Sequence, residues 1–266
     1  MHWTSEDIIT TDKYLNAFRS DYYKTDIFYF NRPFLWRDGI QMMPPPSPRL
    51  IVSGHSDHPI TDEIAKRYPN AKWYSVNTQT HQVHGLPLGI TNNTNEGILF
   101  PIYGNTDIMV EVASMPREIE NLVYMNLNIV TYPEERQPLW DMFKDKNWVT
   151  VDESVNTLDG RKRYLQQIRN HSFVLCPRGN GIDTHRLWET LYMGSIPIVR
   201  KDIAHRDWLD LPILFVDSWE EVTEERIRNE LERFQNTTWN MEKLRVSYWI
   251  ERIRNENELT ASQSNA

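Results

Sequence analysis

From Asn121 onward the sequence alternates short apolar strands with helices, and this alternation constrains the fold more than any other feature. The predicted strands are residues 122–129, 148–151, 173–176, 196–199 and 213–216. Helices are predicted at 134–144, 159–169, 184–193, 204–209, 220–235 and 241–255. Strands of about four to eight residues that alternate with helices are typical of a parallel sheet covered on both faces. The expected fold class is therefore α/β and doubly wound.

The first part of the chain shows the same pattern in a looser form. Strands are predicted at 26–30, 49–53 and 71–77, a short helix at 61–67, and another extended piece at 84–90. Residues 91–118 carry little periodic signal, so a domain boundary is placed there. The sequence thus predicts domains at 1–115 and 116–255, followed by a disordered tail at 256–266.

Charge and apolar content exclude several classes of protein. The formal net charge is −8, whereas a non-specific nucleic-acid binder needs a basic surface. The single cysteine, Cys176, permits no intramolecular disulfide. No run reaches the ~18 apolar residues of a membrane helix, and Met1–Asp7 does not resemble a signal peptide. We therefore expect a soluble, cytoplasmic protein, or a catalytic domain cut from a longer chain, with no nucleic-acid partner and no membrane span.

The segment Cys176–Glu189 carries the clearest chemical signal. A buried strand ends at Pro177, a loop with Gly179 and Gly181 follows, and a helix begins near Thr184. Free N–H groups and the dipole at a helix N-terminus favour an anion such as a diphosphate, and an arginine such as Arg178 can add a charge-assisted contact. The spacing matches neither the dinucleotide-binding glycine motif nor the P-loop, so the sequence supports neither a dehydrogenase nor a P-loop kinase.

Helix spacing groups three polar residues just after this loop. His185 and Glu189 are four residues apart, and Arg186 and Glu189 are three apart, so all three can share one helix face. A carboxylate at this place can accept hydrogen bonds from both hydroxyls of a ribose. The alternative is an ordinary Arg–Glu pair on a helix surface, which contributes little to stability.

The stretch from Phe173 to Val199 resembles the donor-binding motif of exostosin-like glycosyltransferases, family 47 and its bacterial and viral relatives. Leu211–Trp219 resembles the same family, and the loop Ser53–Asp57 and the segment Leu86–Ile90 are weaker likenesses. The chain is much shorter than the animal exostosins, and we expect it to lack their membrane anchor. In this it is similar to the compact members found in large algal viruses, the chloroviruses.

The resemblance implies a GT-B architecture, in which two Rossmann-like domains with parallel sheets face each other across a crevice. It implies a hexosyl- or pentosyltransferase that uses a nucleotide-sugar donor, UDP-linked and with xylose as the candidate sugar, and requires neither a metal nor a cofactor. An oligosaccharide or glycoprotein acceptor would bind to residues 1–115, and the donor to residues 116–255. By analogy Arg178 meets the diphosphate and Glu189 the ribose. The full set of expected donor-binding residues is Arg178, Gly179, Asn180, Gly181, Asp183, Thr184, His185, Arg186, Glu189, Val199 and Lys201.

A general base is expected in the loop that follows the second predicted strand. His55, Asp57 and His58 crowd this loop, and an inverting transfer needs one group to take the proton of the acceptor hydroxyl. Asp57 is the first candidate and His55 the second, while a loop-capping Asx turn is the alternative interpretation of Asp57. The two histidines lack a third or fourth ligand at zinc-binding spacing.

Other functions remain open on the sequence alone. A nucleotide- or carbohydrate-binding protein without catalysis would not need a base at Asp57. A glycoside hydrolase needs two facing carboxylates, and no motif singles out such a pair. No Asp-x-Asp element accompanies the donor loop, so no metal is expected. The oligomeric state is not predicted.

Overall fold

The computed structural model of the chain describes residues 2–18, 27–30, 48–54, 57–93 and 99–264. These residues form an α/β structure with two parallel sheets. The first sheet contains β1 (Ile27–Phe30), β2 (Leu50–Ser53), β3 (Lys72–Ser75) and β4 (His84–Gly85), side by side in that order. Its register pairs Ser53 of β2 with Ser75 of β3, so the chain leaves both strands at the same edge.

The second sheet has five strands, which confirms the alternation seen in the sequence. They are β5 (Asn121–Met125), β6 (Val149–Val151), β7 (His171–Leu175), β8 (Ile196–Arg200) and β9 (Leu214–Val216). Their spatial order is β6-β5-β7-β8-β9, and every neighbouring pair is parallel. After β5, the chain adds β6 on one side of the sheet and then β7, β8 and β9 on the other, so the order in which strands are added reverses between β5 and β7. In doubly wound sheets, ligands bind beyond the carboxyl ends of the strands at this switch point.

Nine helices accompany the two sheets in the described part of the chain. They are α1 (Thr11–Phe18), α2 (Asp62–Ala65), α3 (Phe100–Tyr103), α4 (Thr106–Ser114), α5 (Pro133–Phe143), α6 (Leu158–Arg169), α7 (His185–Tyr192), α8 (Glu224–Gln235) and α9 (Val246–Ser264). Short 3-10 segments lie at Ile129–Thr131, Ile203–Trp208, Trp219–Glu221 and Met241–Leu244. None of these described helices combines the length and apolar character needed to cross a bilayer.

The core follows the two-residue period of the strands. In β7, Phe173 and Leu175 pack into one apolar cluster, on the face that α5 and α8 cover. Val174 and Cys176 point to the opposite cluster, which also contains Val52 and Tyr74 of the first sheet. Because this second cluster draws on both sheets, the two sheets share an apolar core.

Three elements differ from the sequence-based expectation. Strand β5 ends at Met125 rather than Ile129, because the chain turns at the buried Asn126 into a 3-10 segment. Helix α4 lies where little periodicity was found; its N-terminus is capped by Asn105, whose side chain accepts a hydrogen bond from the Ile108 N–H (3.0 Å). Helix α9 continues to Ser264, into the segment expected to be a tail.

The last helix, α9, contacts elements from the N-terminal part of the chain. Glu256 on α9 accepts hydrogen bonds from Tyr74 of β3 and pairs with Lys72 at 2.6 Å. Arg254 donates to the backbone carbonyl of Ala17 at the end of α1 (3.0 Å). The C-terminal helix therefore packs against the first sheet and not against the second alone.

Candidate active site

The loop between β7 and α7 has a compact, hydrogen-bonded shape. Cys176 continues the strand, since its N–H donates to the Ile198 carbonyl at 2.9 Å. The Gly179 N–H donates to the Gly181 carbonyl at 3.0 Å, which folds the loop back on itself. Thr184 is the N-cap residue of α7, but its side chain makes no capping bond. The first turn of α7 therefore receives no side-chain cap from Thr184, although the Leu187 N–H donates to the Thr184 carbonyl at 3.1 Å.

A pocket of about 140 Å³ lies beside this loop, beyond the carboxyl ends of β7 and β8. Three of the predicted donor-binding residues line it: Arg178, Val199 and Lys201. The other lining residues are Tyr132, Glu135, Ile182, Arg200, Asp202 and His205. Because Tyr132 follows β5 and Arg178 follows β7, the pocket sits at the switch point of the sheet.

Arg178 is partly exposed and held in place from two sides. Its guanidinium carbon lies 4.4 Å from the centre of the Tyr132 ring, within the range of a cation–π contact. Its Nη2 donates to the Asn180 carbonyl at 3.0 Å. These contacts leave other N–H groups of the guanidinium available, since arginine has five donors. Asn180 itself is exposed at the tip of the loop.

Arg136 shapes the loop from behind, and sequence reasoning missed it. Its Nε donates to the Arg178 carbonyl and its Nη1 to the Asn128 carbonyl, both at 2.8 Å. A Cβ at Gly179 would lie 3.3 Å from Arg136 Nη2, so glycine lets the loop approach this side chain. Burial and the nearby Arg186 lower the pKa of Arg136 to about 10, so the guanidinium stays charged at neutral pH. Its position inside α5 offers no local motif that could have singled it out.

Glu189 does not face the pocket but points to α6. Its carboxylate pairs with Arg161 at 2.7 Å and accepts a hydrogen bond from the Tyr164 hydroxyl at 2.9 Å. Both members of the ion pair are buried. Burial alone would raise the pKa of Glu189, but the Arg161 charge and hydrogen bond outweigh it and hold the pKa below its ordinary value. Arg186 joins the same group, because its Nε donates to the Tyr164 hydroxyl at 3.2 Å.

Four of the predicted donor-binding residues lie where the donor loop meets the first sheet. His185 donates from Nδ1 to the Gly89 carbonyl at 2.8 Å. The Asp183 N–H donates to Asn77 Oδ1 at 2.7 Å, and the Asp183 carboxylate accepts from the Leu88 N–H at 2.8 Å. Gly181 lies against Asn77, and Thr184 caps α7 between Asp183 and His185. We call this set of contacts the junction.

The buried Asp183 has an unusual titration. Besides Leu88, it accepts a hydrogen bond from the Trp188 indole N–H at 2.9 Å. Burial raises the pKa of Asp183 to about 7, against the opposing effect of these hydrogen bonds. Asn77 on the other side of the junction has a positive φ of 52°, a conformation that asparagine tolerates better than most residues.

Of the two candidate bases, the structure describes only Asp57. It is exposed and follows β2, whereas His55 lies outside the described residues. Three residues after Asp57, the Ile60 N–H donates to the Asn77 carbonyl at 3.0 Å. The segment that carries Asp57 therefore returns to the junction, at the same edge of the first sheet.

The pocket contains two further features that the sequence did not reveal. Glu135 is held by the Trp219 indole N–H at 3.0 Å and by Arg200 at 3.3 Å. His205 is buried and lines the pocket from the 3-10 segment that follows β8. Neither residue belongs to a recognisable motif, and each reaches the pocket from its own segment of the chain. Within the described residues, no three His, Cys, Asp or Glu side chains are grouped in a way that could hold a metal ion.

Comparison with known proteins adds one finding to this geometry. No curated protein matches the chain. Residues 130–260, which contain the donor loop and the whole pocket, match the family model described as the RXYLT1 C-terminal domain. This part of the chain is therefore similar to an exostosin- and xylosyltransferase-related family.

Proposed function

We propose that this protein is a metal-independent glycosyltransferase of GT-B architecture, which transfers a sugar from a nucleotide-sugar donor to a hydroxyl group of a glycan. The observation that supports this most strongly is the position of the pocket. It lies at the switch point of a doubly wound sheet, it carries Arg178 and Lys201, and it falls inside the segment that matches a glycosyltransferase family.

The donor diphosphate binds between Arg178 and the N-terminus of α7 in this proposal. Thr184 leaves the helix N–H groups without a side-chain cap, and a phosphate can accept from them. A volume of about 140 Å³ is well below the ~300–1,000 Å³ typical of sites that enclose a whole ligand. The pocket therefore accommodates part of the donor, and the remainder extends along the loop toward α7. In this proposal Glu189 contacts the ribose through the carboxylate lone pairs that its bonds to Arg161 and Tyr164 do not use.

The cations near the proposed leaving group support the proposal that no metal is needed. The departing diphosphate needs compensation of its negative charge, and preorganised cations can supply this as a metal ion would. Arg178 and Lys201 at the pocket, with Arg186 behind the loop, are three such cations. These side chains support a mechanism in which the protein itself stabilises the leaving group.

The acceptor side of the site is formed by the first sheet. Asp57 lies on the segment that hydrogen-bonds to Asn77, and Asn77 bonds directly to the donor loop. An exposed aspartate here can take the proton of the acceptor hydroxyl while that oxygen attacks the anomeric carbon from the face opposite the diphosphate. We therefore propose Asp57 as the base, with His55 as the second candidate, and inversion at the anomeric centre. Residues 1–115 then provide the acceptor domain.

Xylose is the first sugar to test, with UDP as its carrier, because the matching family is of the xylosyltransferase type. An oligosaccharide or a glycoprotein glycan is the proposed acceptor. Kinship with the compact algal-virus members of the exostosin-like family is part of the same proposal and rests on the motif from Phe173 to Val199.

The test is a nucleotide-release assay over a panel of UDP- and GDP-sugars, with and without EDTA. We expect one donor to release its nucleotide in the presence of a glycan acceptor, with the same rate after EDTA and no gain from Mn²⁺. Binding of UDP or GDP without release from any donor would indicate a non-catalytic binding protein. Cleavage of a glycan without any nucleotide would indicate a glycoside hydrolase.

A matched pair of variants tests the proposed base in the same assay. Asp57→Asn should lower kcat by roughly 10²–10⁴ with little change in donor affinity, because general-base catalysis typically contributes this much. His55→Ala serves as the control in the same loop. If Asp57→Asn keeps full kcat, the base assignment is wrong, and the anomeric configuration of the product, read by NMR, decides inversion independently.

A further inference from the structure

His205 forms the floor of the pocket and not its rim. It lies in the 3-10 segment Ile203–Trp208, and only 1% of its surface is exposed. Its ring centre lies 5.5 Å from that of Trp208 and 5.6 Å from that of Phe215, so aromatic side chains support it on the side away from the pocket. The ring is therefore held by packing beside the pocket, with both nitrogens buried in the free protein.

Both ring nitrogens of His205 lack a hydrogen-bond partner among the described residues. A buried polar group without a partner destabilises the folded state, so such groups are rare and require an explanation. His171 provides the comparison within the same chain. It is equally buried, but its Nδ1 bonds to the Gln167 carbonyl at 2.6 Å and its Nε2 to the Thr150 hydroxyl at 2.7 Å. His171 is satisfied by the fold, whereas His205 is not.

The charges around His205 favour an anion. The two acidic residues of the pocket are already engaged: Glu135 is held by Arg200 and Trp219, and Asp202 accepts from the Ala204 N–H at 2.9 Å. Arg178 and Lys201 line the same space. Burial lowers the pKa of His205 to about 4, so the imidazole is neutral at neutral pH and offers one N–H donor.

We propose that His205 binds the diphosphate of the donor, by donating a hydrogen bond to a phosphate oxygen at the floor of the pocket. The proposal rests on the function proposed above and adds a contact that the donor-loop motif does not contain. This contact explains why an imidazole without a hydrogen-bond partner lies in the same pocket as two cations. The energy that His205 costs in the free protein is recovered when the phosphate provides the missing partner.

The experiment compares His205→Phe with His205→Gln in otherwise intact protein. Phenylalanine keeps the packing against Trp208 and Phe215 but has no donor, whereas glutamine places an N–H near the position of Nε2. UDP and inorganic pyrophosphate are the probes, with affinities from calorimetry or NMR titration. We expect His205→Phe to weaken both probes by about tenfold, as a hydrogen bond to a charged group contributes at least this factor. His205→Gln should remain within about threefold of the wild-type affinity.

Two controls separate a binding role from a structural one. His205→Phe should melt no lower than the wild type, because it removes an unsatisfied buried group. His171→Phe should melt lower, since it leaves Thr150 and the Gln167 carbonyl without their partner, and should keep its affinity for pyrophosphate. In wild-type protein with ¹⁵N-labelled histidine, the ring nitrogens of His205 should shift when pyrophosphate is added, a readout that needs no variant to fold.

The outcomes distinguish this inference from the proposed function. Unchanged affinity of His205→Phe for both probes, or a loss for UDP without a loss for pyrophosphate, would overturn the diphosphate contact. Unmoved His205 ring resonances would do the same. If Arg178→Ala loses UDP while His205→Phe keeps it, only the inference falls. If the wild type binds none of UDP, GDP and pyrophosphate, the proposed function falls and the inference falls with it.

Discussion

The arginines near the donor loop differ in what they contact, and this difference assigns their roles. Arg136 is buried and donates hydrogen bonds to the carbonyls of Arg178 and Asn128. Arg178 is partly exposed at the pocket, and its guanidinium rests on the Tyr132 ring. Arg178 also donates to the Gly179 and Asn180 carbonyls, but unlike Arg136 it lines the pocket, where its remaining N–H groups can meet a ligand.

Arg178→Ala should therefore reduce affinity for UDP or GDP without unfolding the protein. Loss of a charge-assisted hydrogen bond to phosphate costs about 1.5–3 kcal/mol, which is roughly a tenfold to hundredfold rise in Kd by calorimetry. Arg163→Ala is the matched control, because Arg163 is an exposed arginine paired with Asp152 at 3.2 Å. Equal nucleotide affinity of both variants would remove Arg178 from the donor site.

The titration of His205 gives a second prediction at the residue scale. Its pKa is lowered by burial from 6.5 to about 4, so between these values the unfolded chain binds a proton that the folded protein excludes. Stability linked to His205 is therefore present above about pH 6.5 and is lost as the pH falls toward 4. Between pH 7 and pH 5 the loss is about 2 kcal/mol.

Urea unfolding of wild type and His205→Phe at pH 7 and pH 5 checks this. The wild type should lose about 2 kcal/mol more than the variant over this interval. Asp183, whose pKa is raised to about 7, changes stability in the opposite direction over the same range. That contribution is common to both proteins and cancels in the difference. A pH-independent difference would mean that His205 is not buried as a neutral group.

At the scale of elements, a buried ion pair fixes α7 against α6. Arg161 and Glu189 are 2.7 Å apart, and their side chains are 1% and 5% exposed. Tyr164 adds a hydrogen bond to the carboxylate, and the Arg161 guanidinium also donates to the Tyr103 carbonyl at 3.0 Å. The pair is therefore part of the packing between α6 and α7. The alternative considered from the sequence was a different arrangement, an exposed pair of Arg186 and Glu189 on one helix surface.

Arg161→Met should destabilise the protein by about 3–5 kcal/mol, because it leaves the Glu189 charge buried without its partner. The double variant Arg161→Met with Glu189→Leu should recover much of this loss, since neither charge then remains. Arg228→Ala is the control: Arg228 and Glu224 form an exposed pair on α8 at 2.7 Å, and its loss should cost ~0.5 kcal/mol or less. Additive effects of the two substitutions would exclude a coupled pair.

The strands of the second sheet could be predicted because each is a short apolar run. A run such as 173–176 has apolar side chains on both faces of the strand, so it is expected to be buried on both. Helix α4 could not, because Thr106–Ser114 is rich in β-branched residues and is held by its cap and by the buried Met109 and Val112. Arg136 and His205 could not either. Their roles depend on carbonyls and rings that distant segments bring to them, and no local spacing encodes that.

At the scale of the whole molecule, the donor loop and the first sheet meet through a small set of direct contacts. Asn77 Oδ1 accepts from the Asp183 N–H, and a Cβ built at Gly181 would lie only 2.7 Å from Asn77 Nδ2. Glycine at position 181 is therefore needed for the close approach of the two halves. In the proposed function the same contacts place the segment of Asp57 beside the donor.

The last prediction tests this junction with a cycle of two substitutions. Gly181→Ala should cost about 1–3 kcal/mol of stability, because the added methyl group must displace the Asn77 side chain. Asn77→Gly removes that side chain while glycine tolerates the positive φ, and costs about 1–3 kcal/mol through the lost hydrogen bond to Asp183. The double variant should be no less stable than Asn77→Gly alone, since the methyl group then has room. Chemical denaturation measures all four proteins. We expect kcat to fall in both single variants, and pyrophosphate affinity to change little in Asn77→Gly, because Asn77 belongs to neither the pocket nor the donor loop. If Gly181→Ala costs the same with and without Asn77, the two halves are not held together by this contact.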